Sequence, residues 1–349
     1  MAVNLAVKYA KQFAAAFAPE SYLEGRYNTK WSFDGVKEIA IQSPVTVPMT
    51  TYTRSGANRY GTPTEMDTAL QKLTLSKDEG FTKTLDRGNY TDSQMAISAA
   101  NWISEEVKQV VRPTTEKYAL HKWAQDAGQI ATIAAAPTKS TVTDAMLGLD
   151  VALDNGNVSD SARYLYIPTS QHKNIALSSE FLSLEKLGEK AVGRGHIGQI
   201  GNMKVIKVPD AYMPANCYGL VAHKDSVILA RKLSEVHQHI DPPGISGWLM
   251  EGRCYYDAFV LAAKAAGVAA LVLASAKQAA PTITISSGSA TITSTGATQI
   301  KYTLDGTDPR YSASAQVYTA AVTVASGTVV KAVAYKTGSF ASDVATATA

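Results

Sequence analysis

Apolar positions recur with two different periods along the chain, and the switches between them lay out its elements. Leu5, Tyr9, Phe13 and Phe17 fall four apart, the repeat of an amphipathic helix. Its polar face is not strongly basic, which suits packing on a neighbour better than lying on a membrane. Residues 36–53 read as extended, with Pro44 and Pro48 breaking the run and barring a central-strand role there. A polar, glycine-bearing tip covers 54–65, and 70–88 runs back. Together these predict a long two-stranded excursion. An isolated hairpin is marginal in water, so such an arm calls for burial on another subunit.

The strongest helical signal follows. Thr91, Asp92 and Ser93 supply caps, and Met95, Ala99, Trp102, Glu106 and Val110 line one face, widened by Ile103, Val107 and Val111. Pro113 falls inside this pattern and should kink or restart the helix, which Tyr118, Leu120 and Trp123 continue. From residue 141 the pattern is mixed. It predicts a helix from Thr143 and Asp144 through Leu153, a strand at 162–170, a helix at 170–188 and a strand at 203–208. Next comes a strand passing into a helix or loop over 218–233, then extended segments to 274. Residues 258–274 are apolar, but the stretch is short for a membrane span and carries Lys264, so it reads as buried strand and loop. Near Lys277 the composition shifts to Ser, Thr, Ala, Val and Gly. Residues 275–281, SAKQAAP, read as a linker, and the rest as short strands separated by turns, a β-sandwich. There Ile300, Tyr302 and Leu304 alternate with Lys301 and Thr303, so one face should be buried.

Bulk numbers narrow this picture. A length of 349 residues suggests about two domains. With 46% hydrophobic and 18% charged residues the chain has the composition of a soluble globular protein. A net charge of +3 argues against a dedicated nucleic-acid binder. Cys217 and Cys254 stand far apart with no C-x-x-C, and read as reduced structural thiols of a cytosolic fold. Lys8 and Lys11 interrupt the first apolar run instead of preceding it, unlike a secretory signal.

Few motifs carry chemistry. Gly193, Gly195 and Gly198 fit G-x-G-x-x-G, but a dinucleotide fingerprint needs a strand before and a helix after. Here a helix precedes and a strand follows, so the glycines read as a flexible turn into a strand. No P-loop, nucleophile elbow or H-E-x-x-H occurs. His237 and His239 would share a strand face, but no third metal ligand is apparent, and surface or interface histidines are the plainer reading. Glu185 and Glu189 beside Lys186 and Lys190, like Glu105 and Glu106, fit solvated helix faces. Asp305 and Asp308 in YTLDGTDPR look like calcium ligands, yet Asp-Gly signals a tight hairpin and Asp-Pro a turn. The sequence therefore assigns no catalytic, cofactor-binding or metal residue, no cofactor, and no enzymatic activity.

Four phrases then carry a resemblance: TVPMTTYTRSGANRYGTPTE, LDRGN, GQIGNMKVIKVPD and YYDAFVLAAKAAGVAAL, in that order. From residue 1 to about 275 the chain resembles the major capsid proteins of tailed bacteriophages, with their HK-ninety-seven-like fold. The resemblance implies an α+β shell domain over 1–277 without an active site. Its parts would be an N-arm at 1–34, an extended loop at 35–86 and a peripheral domain with a spine helix at 92–127. An axial domain at 142–233 and return strands at 234–275 complete it. Some family members crosslink an extended-loop lysine to a neighbour's asparagine. Lys72, Lys77 and Lys83 are available, but none matches a motif and no crosslink is expected.

The phrases IKYTLDGTDPRYSASAQVYTAAVTV and GTVVKAVAYKTGSFASDVATATA resemble the immunoglobulin-like C-terminal module of chitobiase. Residues 281–349 would form such a module on the outer surface. The two resemblances imply an icosahedral head self-assembled from hexamers and pentamers, enclosing double-stranded DNA that it contacts weakly. Portal and scaffold proteins would be partners, with glycan or cell-surface contact an option for 281–349 and no membrane involved. The location would be the virion, after synthesis in the host bacterial cytoplasm. An encapsulin-like compartment shell, a carbohydrate-binding surface protein and a nucleotide-dependent enzyme remain as alternatives.

Overall fold

The computed structural model describes residues 20–31, 33, 37–47, 49–63, 65, 66, 68–88, 99–178 and 198–349. The expected N-terminal helix, the caps at 91–93, Met95, Gly193, Gly195, and the charged pairs at 185–190 lie outside them. Strands β1 (Glu38–Pro44) and β2 (Thr68–Thr74) pair antiparallel, Ile39 opposite Leu73 and Pro44 opposite Thr68, as the extended pattern predicts. Both are edge strands, which is why Pro44 is tolerated at the end of the first. The return is not one strand. Leu75 turns into a buried cluster with Phe33, Ile41, Leu73 and Ile228, and the Ser76 amide donates to Asp257 Oδ2 at 3.0 Å. The chain then leaves the hairpin as β3 (Lys77–Asp86).

The long helix comes in two parts, α1 (Ala99–Glu106) and α2 (Arg112–Gln125), joined by a π-turn at Val107–Val111. Pro113 has no N–H to give. The wide turn, with the Arg112 amide reaching Val107 O, carries the helix past it without a break.

After β4 (Gln129–Ile133) come α3 (Val142–Asn155), β5 (Arg163–Pro168), α4 (Thr169–Ala176), β6 (Gln199–Ile200), β7 (Met203–Val208), β8 (Cys217–His223), β9 (Val227–Ile240), β10 (Gly247–Val260) and β11 (Val268–Leu273). Six of these strands form one sheet in the order β4-β11-β8-β5-β7-β6, with β11–β4 and β5–β7 parallel. Its two faces bury different helices. Val142, Met146, Leu149 and Leu153 of α3 pack on Leu165, Val221 and Leu271, whereas Leu120, Trp123 and Ala124 of α2 pack on Tyr166, Leu220 and Ala270. That double covering explains why β11, VAALVL, is apolar without alternation. A second sheet, β3-β10-β9, is antiparallel throughout.

One expectation for this region needs correcting. The segment following β8 is neither helix nor loop but a single 3₁₀ turn, Lys224–Ser226, and then strand β9. Val227 and Leu229 face one apolar cluster, Ile228 and Ala230 another, so the run VILA shows no period to read. Residues 258–274 are strand, 3₁₀ turn and strand as expected, and among the described residues no helix is long and apolar enough to cross a membrane.

The tail is a two-sheet sandwich. Strands β12 (Thr282–Ser286), β13 (Ser289–Thr293), β14 (Gln299–Thr303), β15 (Gln316–Val317), β16 (Val322–Thr323), β17 (Val329–Tyr335) and β18 (Ala345–Thr348) form the sheets β12-β13-β16 and β15-β14-β17-β18. Ala290, Ile292, Tyr302, Val324, Val330 and Ala332 fill its core. Two sequence expectations fail here. Asp305 and Gly306 make no tight hairpin: β14 stops at Thr303 and meets β15 at Lys301↔Val317, leaving a broad loop at 304–315 with Leu304 exposed. Each aspartate instead forms its own local turn, Asp305 Oδ1 accepting from the Thr307 amide at 3.0 Å and Asp308 Oδ1 from the Arg310 amide at 2.9 Å. The supposed linker is also ordered. Ala276 and Gln278 are buried, Lys277 bridges Phe340, and the Gln278 and Phe340 amides donate to Phe340 O and Ala276 O.

Candidate assembly surfaces

The hairpin is anchored at its base and bare at its tip. On β2, buried Gln71 stands in for missing backbone partners: its Nε2 donates to Val260 O at 2.9 Å and its Oε1 accepts from the Ala262 amide at 2.8 Å. Lys72 lies 3.7 Å from Glu38 on β1. Beyond Pro44 and Thr68 no strand or helix among the described residues pairs with the chain. Val45, Val47, Met49, Tyr52, Tyr60 and Met66 are all exposed, Tyr60 by 86% and Met66 by 85%. The tip nevertheless has a defined local shape. The Thr53 amide donates to Arg59 O, Thr50 Oγ1 to Tyr60 O at 2.9 Å, and the Tyr52 and Tyr60 rings meet edge to face at 4.9 Å. Large exposed apolar side chains on an arm of defined shape make it a candidate interaction surface.

The second projecting arm is the β9–β10 hairpin. Arg87 pairs with Asp241 at its tip, and Arg253 pairs with Asp78 across from β10 to β3, donating from Nε at 2.7 Å. That hydrogen bond holds the Asp78 carboxyl below its ordinary pKa. Phe81 of β3 lies across Gly252, where a Cβ would meet the ring at 2.1 Å, and Trp102 of α1 covers Phe81 edge-on at 6.0 Å. Val236 and Ile240 are exposed on β9, the sheet's edge strand. His237 and His239 do share a face, their rings stacked at 6.0 Å, and His239 Nε2 is 3.5 Å from Glu251 Oε2. Among the described residues no group of three or more His, Cys, Asp or Glu is arranged to hold a metal ion.

A third feature escaped the sequence reading. The Arg163 side chain is fully buried at the start of β5. Its Nη1 contacts Asp150 Oδ1 at 2.6 Å and Asp154 Oδ1 at 2.7 Å, its Nη2 reaches Asp160 Oδ1 at 2.9 Å, and its Nε donates to Ser159 O at 2.9 Å. The other Asp150 oxygen accepts from the Asn202 amide at 3.0 Å. Gly201, at φ +55°, completes the turn, because a Cβ there would sit 2.4 Å from that same oxygen. The cluster thus fixes the β6–β7 turn just after Gly198. A strand, not a helix, follows the glycines, so no helix N-terminus stands ready for a phosphate. The signal was present in the sequence: Asp150 and Asp154 lie four apart on a helix, and Arg163 is the only charge in an apolar strand.

Buried polar groups elsewhere are structural. Glu116 of α2 accepts from the Tyr22 amide at 3.1 Å and from the Ser21 hydroxyl, pinning the segment that enters from the N-terminus. Glu105 is a half-buried acceptor for Gln109 Nε2 at 2.7 Å rather than part of a solvated face; that bond holds its carboxyl below the usual range. Cys217 and Cys254 are free and buried, burial pushing the Cys217 thiol up to about 12 and raising Cys254 as well.

A family model described as "Fn3 associated" matches residues 290–349. No curated protein sequence matches the chain. Among solved structures, one from Mycobacterium phage Che8 is similar at a TM-score of 0.64 and 13% identity, covering 77% of this chain and 97% of that one. The capsid of the cyanophage P-SCSP1u gives 0.64 and 13%, covering 78% and 93%. The mature capsid of bacteriophage PhiM1 gives 0.60 and 12%, covering 78% and 92%. The chain has the mixed α+β fold of phage capsid structures, with a C-terminal β-sandwich module.

Proposed function

We propose that the chain is the major capsid protein of a tailed bacteriophage, a structural shell subunit without enzymatic activity. Residues 1–277 form the HK-ninety-seven-like shell domain, and 281–349 an immunoglobulin-like module akin to that of chitobiase. Within the shell domain 1–34 is the N-arm, 35–86 the extended loop, 92–127 the spine helix, 142–233 the axial domain and 234–275 the return strands. One observation carries this reading: a hairpin tied down at its base presents an uncovered apolar tip held in a defined shape. A single copy leaves that surface in water, whereas a closed array of copies buries each tip on the next subunit. The likeness to phage capsids in fold supports the same reading. The shell encloses double-stranded DNA, and a net charge of +3 suits DNA confined rather than tightly gripped. Portal and scaffold proteins complete the head. Sugar stacking by the module has little support, because Tyr302, Tyr311, Tyr318, Tyr335 and Phe340 are all buried or half-buried.

The test is to fractionate the expressed chain on a sucrose gradient and image the heavy fractions. Icosahedral shells or capsomer rings are expected. Met49→Asp with Tyr60→Asp should abolish them while leaving the subunit's melting temperature unchanged. A monomer that never assembles, even with a phage scaffold, overturns the reading. Shells filled with protein and free of nucleic acid would instead indicate a compartment.

A further inference from the structure

The module is joined to the rest of the chain by far more than a peptide bond. Its broad loop reaches back to Asp126, the C-cap of α2, and to the two residues that follow it. Arg310 Nη1 donates to Ala127 O at 2.9 Å and Gly128 O at 3.1 Å, and Asp308 holds the guanidinium from behind at 2.7 Å. Tyr311 Oη donates to Asp126 O at 2.6 Å. The Tyr311 and Phe340 side chains are buried in the same apolar cluster as Leu120, Trp123, Ala127 and Val272, so the principal core is partly built from the tail. Lys277 Nζ adds bonds to Ile130 O at 3.0 Å and to Asp343. The loop then touches a third element, the Ala313 amide donating to Leu70 O on β2 at 2.8 Å. Beside that bond lies a cavity of about 340 Å³ lined by Pro44, Leu70, Ala262, Asp305 and Tyr311.

We propose that residues 305–313 and Phe340 act as an intramolecular clamp, which fixes the base of the β1–β2 hairpin to the end of the spine helix. The module is then a working part of the shell fold, and the loop that would have been a hairpin turn is its gripping surface. Three contacts in series carry this: helix end to Arg310 and Tyr311, core to Phe340, and hairpin strand to Ala313. A tethered ornament would need none of them. The clamp stands on these contacts alone; only its consequence, a fixed projection angle for the assembling arm, rests on the capsid reading.

The experiment uses the full chain with a specific protease site inserted between the exposed residues Ala279 and Ala280. After cleavage, native gel filtration of unassembled subunits should show the 281–349 fragment still co-eluting with the remainder. Arg310→Ala with Tyr311→Ala should release it. In the uncut double variant, the amides of 38–43 and 68–74 should exchange with deuterium roughly tenfold faster, with those of α3 unchanged. Release of the fragment from the otherwise native cut chain overturns the proposal, and needs no variant to fold. So does hairpin exchange that is the same with and without the two side chains. Neither result bears on whether the chain builds shells, which the gradient experiment reads separately.

Discussion

Arg163→Met removes a guanidinium from the buried cluster while keeping an unbranched side chain in its place. Its partners are not equal. Asp154 and Asp160 are 51% and 70% exposed and contribute little, about 0–1 kcal/mol each. The carbonyls of Val158 and Ser159 belong to an exposed loop, where water can replace the lost donor. Asp150 is different, being 11% exposed and locked from its other side by the Asn202 amide. Without its cation it becomes an uncompensated buried charge, which costs about 3–5 kcal/mol. For a cooperative unit of 150–250 residues that lowers the melting temperature by roughly 6–20 °C. The assay is thermal unfolding of unassembled subunits, followed by circular dichroism. In a cycle with Asp150→Leu, the double variant should lose at least about 1 kcal/mol less than the two single losses added together, because the second change removes the stranded charge. A fall under about 2 °C for Arg163→Met, or strict additivity in the cycle, would refute this account of the cluster.

Two further outcomes follow from buried groups. Burial holds the imidazoles of His121 and His223 below their usual pKa, both Nε2 atoms are buried with no hydrogen-bond partner among the described residues, and His223 Nδ1 already accepts from the Asp225 amide. The unfolded chain binds protons on these rings near pH 6.5 while the folded one does not, so stability is lost as pH falls below about 6.5. Urea midpoints taken between pH 7.5 and 5.5 should drop, and less steeply in His121→Phe; an identical slope in that variant counts against the assignment. A thiol-alkylating reagent at pH 8 should label neither Cys217 nor Cys254 in the native chain and both in urea, whereas rapid native labelling of Cys217 would contradict its raised pKa.

Much of the fold is readable where one physical signal acts alone. The helix α3 shows itself through Val142, Met146, Leu149 and Leu153 on one face and Asp144 in its first turn. The excursion at β1 and β2 is marked by its prolines and glycine-bearing turn, but its tip reads as polar, and the exposed apolar side chains from Val45 to Met66 show only in the structure, because exposure is not written in composition. Reading fails where two burials overlap or where a local motif is redirected by a distant contact. The VILA run at 227–230 has no period because it is buried on both sides. The Asp-Gly at 305–306 does supply turn chemistry, but its loop is drawn open by Arg310 and Tyr311 seeking carbonyls 182–185 residues away. The stretch at 275–281 has the composition of a linker and is ordered by distant contacts, Phe340 beside it, Ile130 and Asp343 on Lys277, and Thr295 on Gln278. Asp150 and Arg163 could have been paired from their spacing and from the oddity of an arginine in an apolar strand.

The tail's grip on Ala127 and Gly128 also orders events in time. Their carbonyls leave the ribosome 183 and 182 residues before Arg310 does. At about 5–20 residues per second, that is a wait of roughly ten to forty seconds. Through that interval the helix end is uncapped, Leu70 lacks its last partner, and the principal core is missing Tyr311 and Phe340. Contacts this distant in sequence close last and slowly. Because the closing piece follows everything it grips, a copy whose synthesis stops short of Phe340 lacks both the finished hairpin base and part of its principal core.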